Sequence, residues 1–112
     1  MNIIKAESVH KDSRRTLTQI LSANIKQINT YDCQPGQLGG HYHEKGSEYF
    51  YLISGQIEIG NEFAMDTMKP GEVYAVYPNE THVINVIIPS KFMTFLTFTF
   101  DPNNPDLNKE NK

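Results

Sequence analysis

The sequence predicts an all-β domain, a sandwich or barrel of about eight to ten short strands. Three observations lead there. No segment sustains the 3.6-residue period of an amphipathic helix. Runs of β-branched and aromatic residues recur along the chain, densest from Phe92 to Phe100, where phenylalanine and threonine dominate. Turn-forming pairs separate the runs at short intervals: Pro35-Gly36, Ser54-Gly55, Gly60-Asn61, Pro70-Gly71, Pro78-Asn79 and Pro89-Ser90.

Taken in order, Met1 to Asp12 is mixed, with an apolar pair at Ile3-Ile4. From Arg14 to Leu21, Leu17 and Leu21 share one phase and Thr16 and Thr18 the other, the pattern of a strand with one exposed face. Ile25 to Tyr31 is a further strand. Gly39-Gly40 leads into a histidine-bearing stretch, and glycines there imply a bend or a close backbone approach. In Glu48 to Ile53, period-two alternation puts Phe50 and Leu52 on the face of Glu48, with Tyr49 and Tyr51 opposite. Gln56–Ile59 and Phe63–Met65 form a hairpin over a two-residue Gly60-Asn61 turn. Val73–Tyr77, His82–Ile88 and Phe92–Phe100 complete the strands, and the phenylalanines of the last are expected in the core. The barrel should occupy residues 1–100, with residues 101–112 a polar exposed tail. So many short strands must protect their edges, by closing a barrel or by pairing between two subunits, so a homodimer is expected.

At 112 residues the chain has room for one domain and one core. Apolar residues at 38% and charged residues at 21% suit a soluble globular protein. A net charge of −3 without a basic patch argues against nucleic acid as partner. No apolar run is long enough for a membrane span, and the N-terminus lacks a signal-peptide core. Cys33 is the single cysteine, which excludes an internal disulfide, fits a cytoplasmic location, and reads as a small buried or half-buried filler.

The chemistry concentrates in His41-Tyr42-His43-Glu44-Lys45-Gly46-Ser47-Glu48. On a strand His41 and His43 point to one face, roughly 6–7 Å apart. A turn at Gly46-Ser47 would fold the chain into a hairpin and return Glu48 to the histidines. Imidazoles with a carboxylate suit zinc, iron, manganese or nickel. His82 is a fourth candidate ligand, whereas His10 has no such context and reads as a surface residue. Glu44 falls on the opposite face from the histidines. Tyr42, Tyr74 and Tyr77 offer phenols that either donate a proton to a substrate or serve as amphipathic packing. Arg14 is either an exposed strand residue or a fork for a phosphate or carboxylate.

The pattern His41-x-His43-x4-Glu48-x6-Gly55 resembles the first signature motif of the cupins. Gly71, Pro78, His82 and Asn85 resemble the second, with the turn from Pro78 to His82 one residue shorter than usual and Glu80 near where glycine is common. The resemblance implies a double-stranded β-helix, a jelly-roll barrel, with a divalent metal held at its mouth by His41, His43, Glu48 and His82. Asp12-Ser13-Arg14-Arg15-Thr16-Leu17-Thr18 resembles the Asp-x-Arg-Gly-x-Leu segment of cupins that epimerise or isomerise nucleotide-linked sugars, with Arg15 in place of the glycine. Phe100 to Asp106 resembles the close of the cupin domain in bifunctional capsular-sugar epimerase–reductases. The implied function is a metal-dependent epimerase or isomerase acting on a keto-sugar, nucleotide-linked, in surface-polysaccharide synthesis. Tyr74, Tyr42, Glu44 or a metal-bound hydroxide would move the proton, and Arg14 and Phe50 would contact substrate. An iron-dependent dioxygenase and a non-enzymatic small-molecule-binding cupin are the alternatives, and the same ligands serve all three.

Overall fold

The computed structural model describes residues 3–4, 7–61, 63–101 and 103, and at residues 7–9 and 41 the strand alone. Most of the expected tail therefore lies outside the described residues. The strands are β1 (Ile3–Ile4), β2 (Glu7–Lys11), β3 (Thr16–Gln19), β4 (Gln27–Cys33), β5 (Gly36–His41) and β6 (Glu48–Ser54), followed by β7 (Ile57–Gly60), β8 (Met65–Met68), β9 (Val73–Val76), β10 (His82–Val86) and β11 (Ser90–Leu96). Among the described residues there is no helix, so none is long and apolar enough to cross a membrane.

All strand pairs are antiparallel, and they form three sheets: β1-β9-β6-β11-β4, β5-β10-β7-β8, and the isolated pair β2-β3. The two larger sheets face each other, since one core cluster draws Phe50, Leu52, Tyr74, Val76 and Phe92 from the first and Ile57, Ile59, Met68, Ile84 and Val86 from the second. Period-two alternation does the sorting. On β6, Glu48, Phe50 and Leu52 are buried while Tyr49 and Tyr51 are half-buried; on β10, His82, Ile84 and Val86 are buried. On β11 the inward set is Ser90, Phe92, Thr94 and Leu96. Each fully buried Leu, Ile or Phe contributes about 1.5–3 kcal/mol. This is the jelly-roll architecture that the motifs imply.

Four local expectations differ from the structure. The link from His41 to Glu48 is not a hairpin: β5 and β6 belong to opposite sheets, so residues 42–47 cross the barrel. The β7–β8 turn is longer than two residues, because Gly60 stays paired with Met65 and Asn61 opens an Asx turn, its Oδ1 accepting the N–H groups of Phe63 and Ala64. β3 is exposed at all four residues, Leu17 to 52%, so the apolar phase read there has no core beneath it. β11 ends at Leu96, and residues 97–100 continue as a strap outside the ladder.

The shortened turn before His82 closes with local groups. The Glu80 carboxylate accepts the Tyr77 N–H at 2.8 Å, the Glu80 N–H returns to the Tyr77 carbonyl at 3.1 Å, and Asn79 adopts φ 68°. Asparagine tolerates that left-handed conformation, so no glycine is needed.

Candidate active site

Glu48 opens β6 and His82 opens β10, on facing sheets, and both are inward-pointing positions. Alternation therefore aims a carboxylate and an imidazole at each other across one end of the barrel. His43 joins them from the crossing segment just beyond β5, where its carbonyl accepts the Asn79 N–H at 2.7 Å. His82 is set by a bulge: the β5–β10 register slips between His82 and Val83, with Gly39 opposite Val83. Gly39 has φ +92°, and a Cβ there would lie 2.8 Å from the His82 carbonyl oxygen. Only glycine permits that approach, as the Gly39-Gly40 pair suggests in the sequence.

The three residues are nearly sealed, with exposures of 6% for His43, 6% for Glu48 and 3% for His82. Glu48 Oε1 lies 3.0 Å from His43 Nε2 and 3.5 Å from His82 Nε2, and the two imidazole rings are 5.4 Å apart. One ligand atom from each residue falls within 4.8 Å of the others. Tetrahedral zinc with bonds near 2.1 Å sets its ligand atoms about 3.4 Å apart, so the observed spacings and the donor chemistry fit a divalent ion. The same distances also describe a buried His–Glu ion pair. His41 is paired through the backbone with His82, but its side chain lies outside the described residues.

These residues form one wall of a cavity of about 460 Å³, within the range of small-molecule sites. Phe50, Ile84 and Phe92 line it deeper in, and Gln27, Asn29 and Tyr31 of β4 line another side. Phe50 thus reaches the cavity, its ring 5.7 Å from that of His82. Tyr74 does not: it lies on the inner face of β9 in register with Phe50, a member of the core cluster, and burial pushes its phenol up, helped by the charges of Asp66 and Glu80. Tyr42 is half-buried and Glu44 exposed, and neither lines the cavity. Arg14 is exposed at the β2–β3 turn, also away from the cavity of its own chain. His10 is on the surface and pairs with Asp12 at 3.0 Å.

Sequence reasoning missed two groups. Tyr31 stacks on Phe92 with ring centres 4.7 Å apart, and burial, reinforced by the Glu48 carboxylate, raises its phenol. The alternation Gln27-x-Asn29-x-Tyr31 puts three polar side chains on one strand face, and that was the available signal. The second group is Phe98 and Phe100, which line the cavity from the strap: Phe98 is buried as expected, its ring 5.2 Å from that of His43, whereas Phe100 is exposed rather than core.

No protein-family model matches the chain, and no curated protein matches it in sequence. Solved structures do. A 3,4-ketoisomerase from Helicobacter canadensis superposes with a TM-score of 0.74 at 16% identity, over 96% of this chain and 89% of that one. The sugar 3,4-ketoisomerase QdtA from Thermoanaerobacterium thermosaccharolyticum, in complex with TDP, gives 0.71 at 15% identity over 96% and 86%; a mutant of that enzyme has been solved with TDP-4-keto-6-deoxyglucose. The capsular polysaccharide assembling protein CapF from Staphylococcus aureus gives 0.61 at 22% identity over 94% of this chain, which corresponds to 34% of that larger protein. At such identities the shared property is the fold, and the fold is the cupin double-stranded β-helix.

Proposed function

We propose that the chain is a metal-dependent isomerase or epimerase of a keto-sugar, nucleotide-linked, in surface-polysaccharide synthesis. The observation that carries this reading is the convergence of His43, Glu48 and His82 on the wall of a sugar-sized cavity. The structural likeness to sugar ketoisomerases supports it. Zinc, iron, manganese or nickel would be held by His43, Glu48 and His82, with His41 as the proposed fourth ligand. Such an ion supplies a Lewis acid that polarises a carbonyl oxygen. Phe50 and Phe92 exclude water below the site, which strengthens every charge interaction within it. Tyr31 is our proposed proton donor in preference to Tyr74, Tyr42 or Glu44, because it lines the cavity and they do not.

A test is incubation of the metal-loaded protein with 4-keto nucleotide sugars in heavy water, followed by mass spectrometry. Deuterium should enter the carbon beside the carbonyl. No wash-in across several substrates overturns the reading and leaves the oxygenase or the binding module. The 3.0 Å contact of His43 with Glu48 favours a second reading, in which the pair acts as a general base without metal. Wash-in that persists after chelation would select it.

A homodimer is part of the proposal. An isolated two-stranded hairpin is marginal in water, and all four residues of β3 are exposed. A second copy would cover it, and Arg14 would there grip a phosphate. Light scattering showing a monomer at micromolar concentration removes the dimer.

A further inference from the structure

We propose that Gln27 is a positioning residue, a latch that holds the strap of residues 97–100 across the cavity mouth and thereby keeps Phe98 against His43. Gln27 opens β4, and its side chain reaches out of the ladder to the strap. Its Oε1 accepts the Phe100 N–H at 2.9 Å. Its Nε2 donates to Asn29 Oδ1 at 3.1 Å, and Asn29 Nδ2 donates to Thr94 Oγ1 at 3.3 Å. Thr94 is fully buried on β11, so the relay runs from the barrel interior to the strap. Both amides orient each other, which fixes the Gln27 carbonyl towards Phe100.

The strap is held at two points. At its root the Thr97 N–H donates to the Ser47 carbonyl at 3.1 Å, and Thr97 Oγ1 accepts the Ser47 N–H at 2.9 Å. At its far end the hydrogen bond of the Phe100 N–H to Gln27 holds Phe100, a residue 42% exposed. Between the two lies Phe98, 7% exposed, packed on the His43 ring and close over Gly46, where a Cβ would come within 2.9 Å of Phe98 Cδ1. Phe98, Phe100, Gln27 and His43 all line the one cavity. Release of the far end would let Phe98 swing off His43 and open the wall beside Glu48. The side-chain hydrogen bonds of Gln27 run to Asn29 and Phe100, so its role is exerted through the strap.

The test uses the full chain with Gln27→Leu, which keeps the bulk and removes the hydrogen bonds, and Gln27→Glu, which keeps the acceptor for Phe100. In metal-free protein, amide exchange followed by NMR should show the Phe100 N–H exchanging about tenfold faster in Gln27→Leu, the loss of one hydrogen bond. Protection should return in Gln27→Glu, and the Thr97 N–H should be unchanged in both, which also reports that the barrel is folded. A second arm rests on the metal reading above. Protein loaded with zinc alone should lose it to a chelator several-fold faster in Gln27→Leu, at unchanged stoichiometry. Equal Phe100 exchange in wild type and Gln27→Leu overturns the latch. Faster Phe100 exchange with an unchanged zinc release rate overturns its action on the site. A wild-type chain that takes up no zinc sinks the metal reading alone, and the exchange arm still decides the latch.

Discussion

The barrel mouth and the β2–β3 hairpin are built from the same antiparallel geometry, and they differ in what lies beneath it. At the mouth, inward side chains meet others from the opposite sheet: Glu48 faces His82, and the Phe50 ring lies 5.7 Å from the His82 ring. On the hairpin, Leu17 lies on a regular strand yet stays 52% exposed, and its neighbours along β3 are exposed too. Asp12 closes the hairpin, its N–H donating to the Arg15 carbonyl at 2.9 Å and its carboxylate binding the turn. Asp12 Oδ1 accepts the N–H groups of Arg14 and Arg15 at 2.9 and 3.0 Å, while Oδ2 meets His10 at 3.0 Å and Arg15 at 3.9 Å. Alternation assigns a face, but a face stabilises only when a second layer covers it.

The largest expected effect breaks the comparison if it fails. Phe92→Ala should destabilise the protein by about 3–5 kcal/mol, as cavity formation in a packed core does, whereas Leu17→Ala should stay within about 0.5 kcal/mol at monomeric concentration. Urea denaturation measures both, and a large cost at Leu17 would mean that the hairpin packs in a way the single chain does not show. Next, Gly39→Val should cost about 1–3 kcal/mol from backbone strain alone, and should also weaken zinc binding, because the His82 carbonyl must move. Unchanged zinc affinity would separate the bulge from the site.

A smaller effect concerns alkali. Burial raises the phenols of Tyr31 and Tyr74 above 10.0, so the folded state holds those protons more tightly than the unfolded chain. That stability is complete below the unfolded value and is lost as pH rises through the folded one. Thermal melts between pH 8 and 11 should therefore fall less steeply in Tyr31→Phe and Tyr74→Phe than in wild type. Smallest is Asp12→Asn. The hydrogen bonds from the Arg14 backbone and from His10 hold the Asp12 carboxyl below 3.8, so its contribution is present above that value and lost as pH falls below it. Because the group is exposed, global melting should not move, and only the His10 NMR signal should.

Much of this was legible in the chain because period two survives folding unchanged. Phe50 and Leu52 fall inside as their phase requires, and the Gly39-Gly40 pair marks the close approach beside His82. The three residues that converge are among those the cupin-like pattern singles out. What the sequence hid depends on which sheet a strand joins. Glu48 approaches His43 across the barrel rather than around a hairpin, and no local signal tells a crossing from a turn. Tyr31 was hidden for the same reason, since only the position of β4 beside β11 brings it over Phe92. Phe98 and Phe100 continue the β-prone run of β11 in sequence, yet leave the ladder to become cavity wall.

Calorimetric titration of the purified, chelator-stripped chain with zinc tests the central claim most directly. One equivalent should bind to wild type, and binding should be lost in Glu48→Gln and in His82→Asn while both variants remain folded. A folded wild-type chain that binds no zinc, or variants that bind it as wild type does, would contradict the account.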